Sequence, residues 1–149
     1  MPTCTFIGHR NAPSEIYKEL CCAIEQKIHE GYITFYVGNQ GSFDALVIQA
    51  LNKLKQIHPH ITPIEVLAYF PEHSRFIQAE HPLDTLYPEN METVPRRFAI
   101  PHRNLWMLKN SQALICYINH STSNAYKFYD KAKKAGLAIS NLGSFTDTN

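Results

Sequence analysis

The residues with the plainest chemical potential are Gly38-Asn39-Gln40-Gly41-Ser42-Phe43-Asp44. Two glycines flank a polar pair, and a strongly amphipathic helix follows from about Ser42. Glycine lets a backbone come close to a ligand, and the first amides of a helix point outward without an internal partner. A phosphate or carboxylate satisfies such amides. Asp44 lies in the first helical turn, where it can cap amides or meet a ribose hydroxyl. A tight turn without a ligand is the other reading, and the spacing leaves both open. Gly8-His9-Arg10 adds an imidazole and a guanidinium fork that matches phosphate or carboxylate, or else forms a plain surface turn. Asn119-His120-Ser121-Thr122-Ser123-Asn124 supplies hydroxyls and amides. Ser123 is the preferred helix cap there, with ligand oxygens as the alternative partners. Arg96, Arg97 and Arg103, with Asn104 and Trp106 nearby, form the main basic cluster. Arg96, Arg103 and Asn104 can share a helical face, as can Arg97 and Asn104. Solvation, or pairing with Glu89 and Glu92, is the bland alternative. Trp106 suits a core or an interface better than a base platform.

Other chemistries are not signalled. The eight histidines are scattered, and His58-Pro59-His60 does not lie on one helical face, so no metal is expected. The four cysteines, Cys4, Cys21, Cys22 and Cys116, include no CxxC pair and read as reduced thiols. Neither a nucleophile elbow, a Walker lysine nor GxGxxG occurs, and no cofactor is expected.

These segments need elements to hold them. Thr3 to Ile7 reads as a strand, followed by a helix opened by Pro13-Ser14, with Ile16, Leu20, Ala23, Ile24 and Ile28 on one face and Gly31 closing it. Ile33 to Val37 is a second strand. Phe43, Leu46, Val47, Ala50, Leu51 and Leu54 mark the strongest helix. Ile64 to Phe70 reads as a third strand. Residues 71–95 hold four prolines and no clear period, and read as a long excursion over one end of the sheet. Arg96 to Asn110 reads as helix, Ala113 to Ile118 as strand, Ser123 to Ala135 as helix and Leu137 to Ser140 as a last strand. This alternation predicts an α/β fold, a mostly parallel sheet with helices on both faces. Ligands of such sheets bind beyond the C-terminal strand ends, where strand order reverses. That rule selects Gly8 to Arg10, Gly38 to Asp44 and Asn119 to Asn124 together.

With 149 residues, the chain suits one domain spanning 1–149. A net charge of +1 supplies no bulk field to attract nucleic acid or a membrane, so DNA binding is disfavoured. No apolar run is long enough to span a bilayer, and the N-terminus does not look like a signal segment. A cytoplasmic location is expected.

Three blocks in order resemble the SLOG superfamily. They are Cys4-Thr5-Phe6-Ile7-Gly8-His9-Arg10, then Phe35-Tyr36-Val37-Gly38-Asn39-Gln40-Gly41-Ser42-Phe43-Asp44, then Val94-Pro95-Arg96-Arg97-Phe98-Ala99-Ile100 with Arg103-Asn104-Leu105-Trp106-Met107. The resemblance implies a Rossmann-like three-layer sandwich and a phosphate turn at Gly38 to Asp44, with Gly8-His9-Arg10 beside it. It also implies a nucleotide-derived ligand, in some members within phage–host conflict. The phosphoribohydrolases of that superfamily carry a PGGxGTxxE turn. Here the glutamate is missing, and Ser121-Thr122-Ser123-Asn124 stands where related proteins often have glycines. The expectation is a homo-oligomeric protein that senses or sequesters a phosphate-bearing, nucleotide-like small molecule. The alternative is a phosphoribohydrolase or N-glycosidase using Asp44 as its carboxylate and Arg103 on the phosphate.

Overall fold

A computed structural model describes residues 2–70 and 83–144. Six strands form one sheet in which every pairing is parallel: β1 (Thr3–Gly8), β2 (Thr34–Val37), β3 (Thr62–Val66), β4 (Asp84–Leu86), β5 (Ala113–Tyr117) and β6 (Ala138–Asn141). Their spatial order is β4-β3-β2-β1-β5-β6. The chain builds outward from β1 to β4, then returns to lay β5 against the free side of β1. This is a Rossmann-like fold.

Four longer helices cover the sheet: α1 (Tyr17–His29), α2 (Gly41–Ile57), α3 (Ala99–Lys109) and α4 (Asn124–Lys134). Strand side chains alternate between faces, and that alternation assigns the layers. Cys4, Phe6, Phe35, Val37, Ala113 and Ile115 pack under α1 and α2 with Leu20, Ile24, Val47 and Leu51. Ile7, Leu114 and Cys116 face the other way, onto Leu108, Phe128 and Ala132 of α3 and α4. The result is three layers. β1 is buried on both faces because it lies at the middle of the sheet. Burial also pushes the Cys4 and Cys116 thiols up to about 12, which leaves them protonated.

Two boundaries differ from the sequence expectation. The third strand begins earlier and ends earlier, at Val66, whose carbonyl accepts a hydrogen bond from the Arg103 guanidinium (3.0 Å). The 71–95 excursion contains a strand, β4, beside β3 at the sheet edge. Asp84 and Thr85 of β4 are exposed, so this short polar strand carries no hydrophobic alternation to read, and it blunts the edge against further pairing. The rest of that expectation, residues 71–82, lies outside the described residues. Pro101 falls inside α3. It sits in the first turn, where its missing N–H breaks no helical bond. Among the described residues, no helix is long and apolar enough to cross a membrane.

Candidate functional site

The strand order reverses between β1 and β5, and a cleft of about 510 Å³ opens at their C-terminal ends. One wall comes from the segment after β1, with Gly8, His9, Arg10 and Asn11. The loop after β5 and the start of α4 form the second wall, with Asn119, His120, Ser123 and Asn124. Ile100, Arg103, Asn104 and Met107 of α3 form the third side, while Gln40 and Asp44 close the end at the α2 terminus.

His9 fastens the first two walls together. Its Nε2 accepts the Asn119 backbone N–H (3.0 Å), so the ring proton resides on Nδ1 and faces Ser123 Oγ at 3.1 Å. The imidazole is therefore neutral. Burial, and secondarily the neighbouring His120, hold its pKa below the ordinary histidine value. Ser123 caps α4 by accepting the Tyr126 N–H (3.2 Å), which matches its preferred sequence reading. With both lone pairs of its oxygen engaged, the Ser123 hydroxyl retains a hydrogen to donate. His120 is exposed and stacks on His9, with centroids 4.1 Å apart and planes within 4°. Thr122 Oγ1 lies 2.9 Å from His120 Nδ1 and orients that ring.

Two amides of the Gly38–Asp44 turn find partners within the protein. The Gln40 N–H donates to the Asp44 carboxylate (2.8 Å), and the Ser42 N–H donates to the Arg10 carbonyl (2.7 Å). Ser42 Oγ also donates to that carbonyl (2.7 Å) and accepts the Ala12 N–H (2.7 Å). Gly41 makes this possible. Its φ is +86°, and an added Cβ would lie 2.8 Å from the Arg10 Cα. Asn39 Nδ2 donates to Glu65 (3.2 Å), away from the cleft.

Arg103 is 1% exposed beneath Gly38, whose added Cβ would lie 2.8 Å from the guanidinium carbon. It donates to Val66 O and, through Nε, to Asn104 Oδ1 (2.8 Å). Asp44 and Glu65 share its surroundings. Burial pushes Asp44 up to about 6, against the opposing pull of Arg103 and the Gln40 amide. Glu65 is raised by burial too, and Arg103 is lowered by it. Asp44 is thus a half-protonated carboxyl near pH 6 whose oxygen already has an amide partner.

Of the residues singled out in the sequence, Gly8, His9, Arg10, Gln40, Asp44, Arg103, Asn104, His120, Ser123 and Asn124 meet at this cleft. Gly38, Asn39, Gly41 and Ser42 do not line it, and Ser121 lies outside on the exposed loop. Arg96 and Arg97 are exposed in a short 3-10 turn before α3. Ile100 and Met107 were missed as cleft residues. Their spacing with Arg103 and Asn104, at positions i, i+3, i+4 and i+7, was the available signal. Trp106 packs half-buried on Tyr36 at a 5.2 Å centroid separation.

No protein-family model matches the chain, and no curated protein matches it. Among solved structures it is similar to DNA processing protein A from Helicobacter pylori, with a TM-score of 0.51 and 14% identity over 89% of this chain. The chain spans 62% of that neighbour's length. The likeness shows the Rossmann-like fold. The neighbour is described as binding single-stranded DNA.

That finding corrects two expectations. Net charge alone disfavours DNA and leaves a nucleotide-like small molecule, sensed, sequestered or hydrolysed, as the expected ligand. A protein of this architecture that binds single-stranded DNA overturns that preference. The physical reason lies in where the charges sit. Net charge averages the whole surface, whereas at the cleft Arg10 is exposed and the carboxylates Asp44 and Glu65 are buried.

Proposed function

We propose that residues 1–149 act as one domain that binds single-stranded nucleic acid at the β1/β5 cleft. The observation that carries this reading is the pairing of an exposed arginine with an oriented aromatic stack at the switch point. Arg10 stands on the first wall, and the His9–His120 stack bridges that wall to the second, with His120 exposed. Single strands are held by cations that track the backbone and by flat rings on which bases stack. Asn119, Asn124 and the donor hydrogen of Ser123 add polar contacts for sugar or base edges. A Rossmann-like neighbour that binds single-stranded DNA supports the same reading. The ordered blocks ending at Arg10 and Asp44 both abut this cleft, which supports a SLOG-type version of the fold.

Fluorescence anisotropy with a labelled single-stranded oligonucleotide tests the proposal. The expected result is saturable binding that weakens as salt rises, because each released counterion contributes to the slope. Arg10→Ala and His120→Ala both reduce affinity, and Arg10→Ala also flattens the salt dependence. A flat titration at low salt, or both variants binding as tightly as wild type, rejects the assignment.

A further inference from the structure

The surface beside the cleft carries a second set of paired arginines and rings. The Arg97 guanidinium lies 4.8 Å from the Phe98 ring centroid, and the Arg96 guanidinium lies 4.5 Å from that of Tyr69. Phe98 is 51% exposed, an unusual position for a phenyl ring. Among the described residues, neither arginine forms an ion pair with Glu89 or Glu92, although both carboxylates are exposed in the same region.

Their placement links them to the cleft. Phe98 is the N-cap residue of α3, and Ile100, two residues on, lines the cleft. Tyr69 follows β3 at its C-terminal end. The pairs therefore stand on the same edge of the sheet as the cleft, further toward β3 and β4. A chain crossing the strand ends from the β1/β5 cleft toward that side meets them next.

We propose that Arg97 and Phe98, backed by Arg96 on Tyr69, form a second station that stacks a base of the same single strand outside the cleft. The proposal rests on the nucleic-acid reading above. Phe98 offers the flat face, and the Arg97 guanidinium packed on its ring directs its N–H groups to a backbone phosphate. Continuity along the strand-end edge and the positive charge of both arginines select a nucleic acid over an apolar partner. The station lengthens the binding site without altering the cleft.

The test uses labelled oligonucleotides of about six and about fifteen nucleotides, lengths that bracket ordinary single-strand site sizes. Wild type binds the longer one more tightly. Phe98→Ala weakens the longer oligonucleotide roughly tenfold, the scale of one lost base–aromatic stack, and leaves the shorter one unchanged. Phe98→Trp restores the affinity, whereas Phe98→Leu, apolar but without an aromatic face, does not. Arg97→Ala weakens the longer oligonucleotide and lowers its salt slope. Circular dichroism melts of all variants should coincide with wild type, because Phe98 is exposed. If wild type binds both lengths and Phe98→Ala changes neither, or weakens both equally, the station is overturned while the cleft reading stands. If wild type binds neither length, the nucleic-acid reading and the station fall together.

Discussion

The two sides of the cleft use similar residue types to opposite ends. On the Gly38–Asp44 side the polar groups are turned inward. Gln40, Ser42, Asp44 and Arg103 have partners within the protein, and Asp44 and Arg103 are buried. On the Asn119–Asn124 side, His120 presents an exposed ring and Ser123 retains a donor hydrogen. A glycine-flanked turn before a helix can bind an anion from solution or recruit one from its own chain. Here Asp44 supplies a carboxylate to the Gln40 amide, and the opposite loop leaves its polar groups open to the cleft.

That contrast predicts large losses of stability from one side and small ones from the rim. Arg103→Ala should have the largest effect. It empties a fully buried site, leaves the Val66 carbonyl without its partner and removes the charge that draws on Asp44 and Glu65, and truncating so large a buried side chain costs about 2–5 kcal/mol. Denaturant unfolding measures this, and a loss under 1 kcal/mol would show the carboxyls to be content without it. Gly41→Ala comes next, at about 1–3 kcal/mol, because alanine resists a positive φ and its Cβ would press on Arg10.

A pH experiment isolates Asp44. Its pKa is raised from 3.8 unfolded to about 6 folded, so its protonation favours the native state. That contribution is complete below about pH 4 and disappears as pH rises through 6. Relative to Asp44→Asn, wild type should therefore be more stable at pH 4 than at pH 7.5, as read by melting both proteins across the range. A difference that does not vary with pH would contradict the buried carboxyl. His9 acts in the opposite sense, because its lowered pKa makes its contribution full above the ordinary histidine value and lost as the pH falls. Subtracting the Asp44→Asn curve removes this background. The smallest stability effect belongs to Arg10→Ala, within about 0.5 kcal/mol for an exposed side chain. Its consequence is a loss of oligonucleotide affinity, so a variant that melted early instead would place Arg10 in the scaffold.

The sequence displays the layers because long periodic segments announce themselves. Phe43 to Leu54 could hardly be anything but a helix, and Thr3 to Ile7 and Ala113 to Ile118 are apolar enough to be central strands. β4 carries no readable signal because two polar residues and one leucine at an edge make no pattern. The meeting of Gly8 to Arg10 with Asn119 to Asn124 followed from strand-order reversal. The inward turn of Arg103 did not. Its position on a helix was legible, but whether a guanidinium points at solvent or at Val66 O depends on the length of β3, which no local spacing records. Trp106 on Tyr36 is the reverse case, where size and apolar character sufficed.

The parallel pairing of β1 with β5 has a consequence in time. β1 is the first strand in chain order, yet the partner on its cleft side follows about a hundred residues later, after three other strands. At ribosomal rates of about 5–20 residues per second, β1 waits several seconds with one edge unpaired. His9 meanwhile lacks the Asn119 amide that holds its ring. The cleft is thus completed only when nearly all of the described chain has been made, and a truncated product would carry the scaffold turn without the wall opposite it.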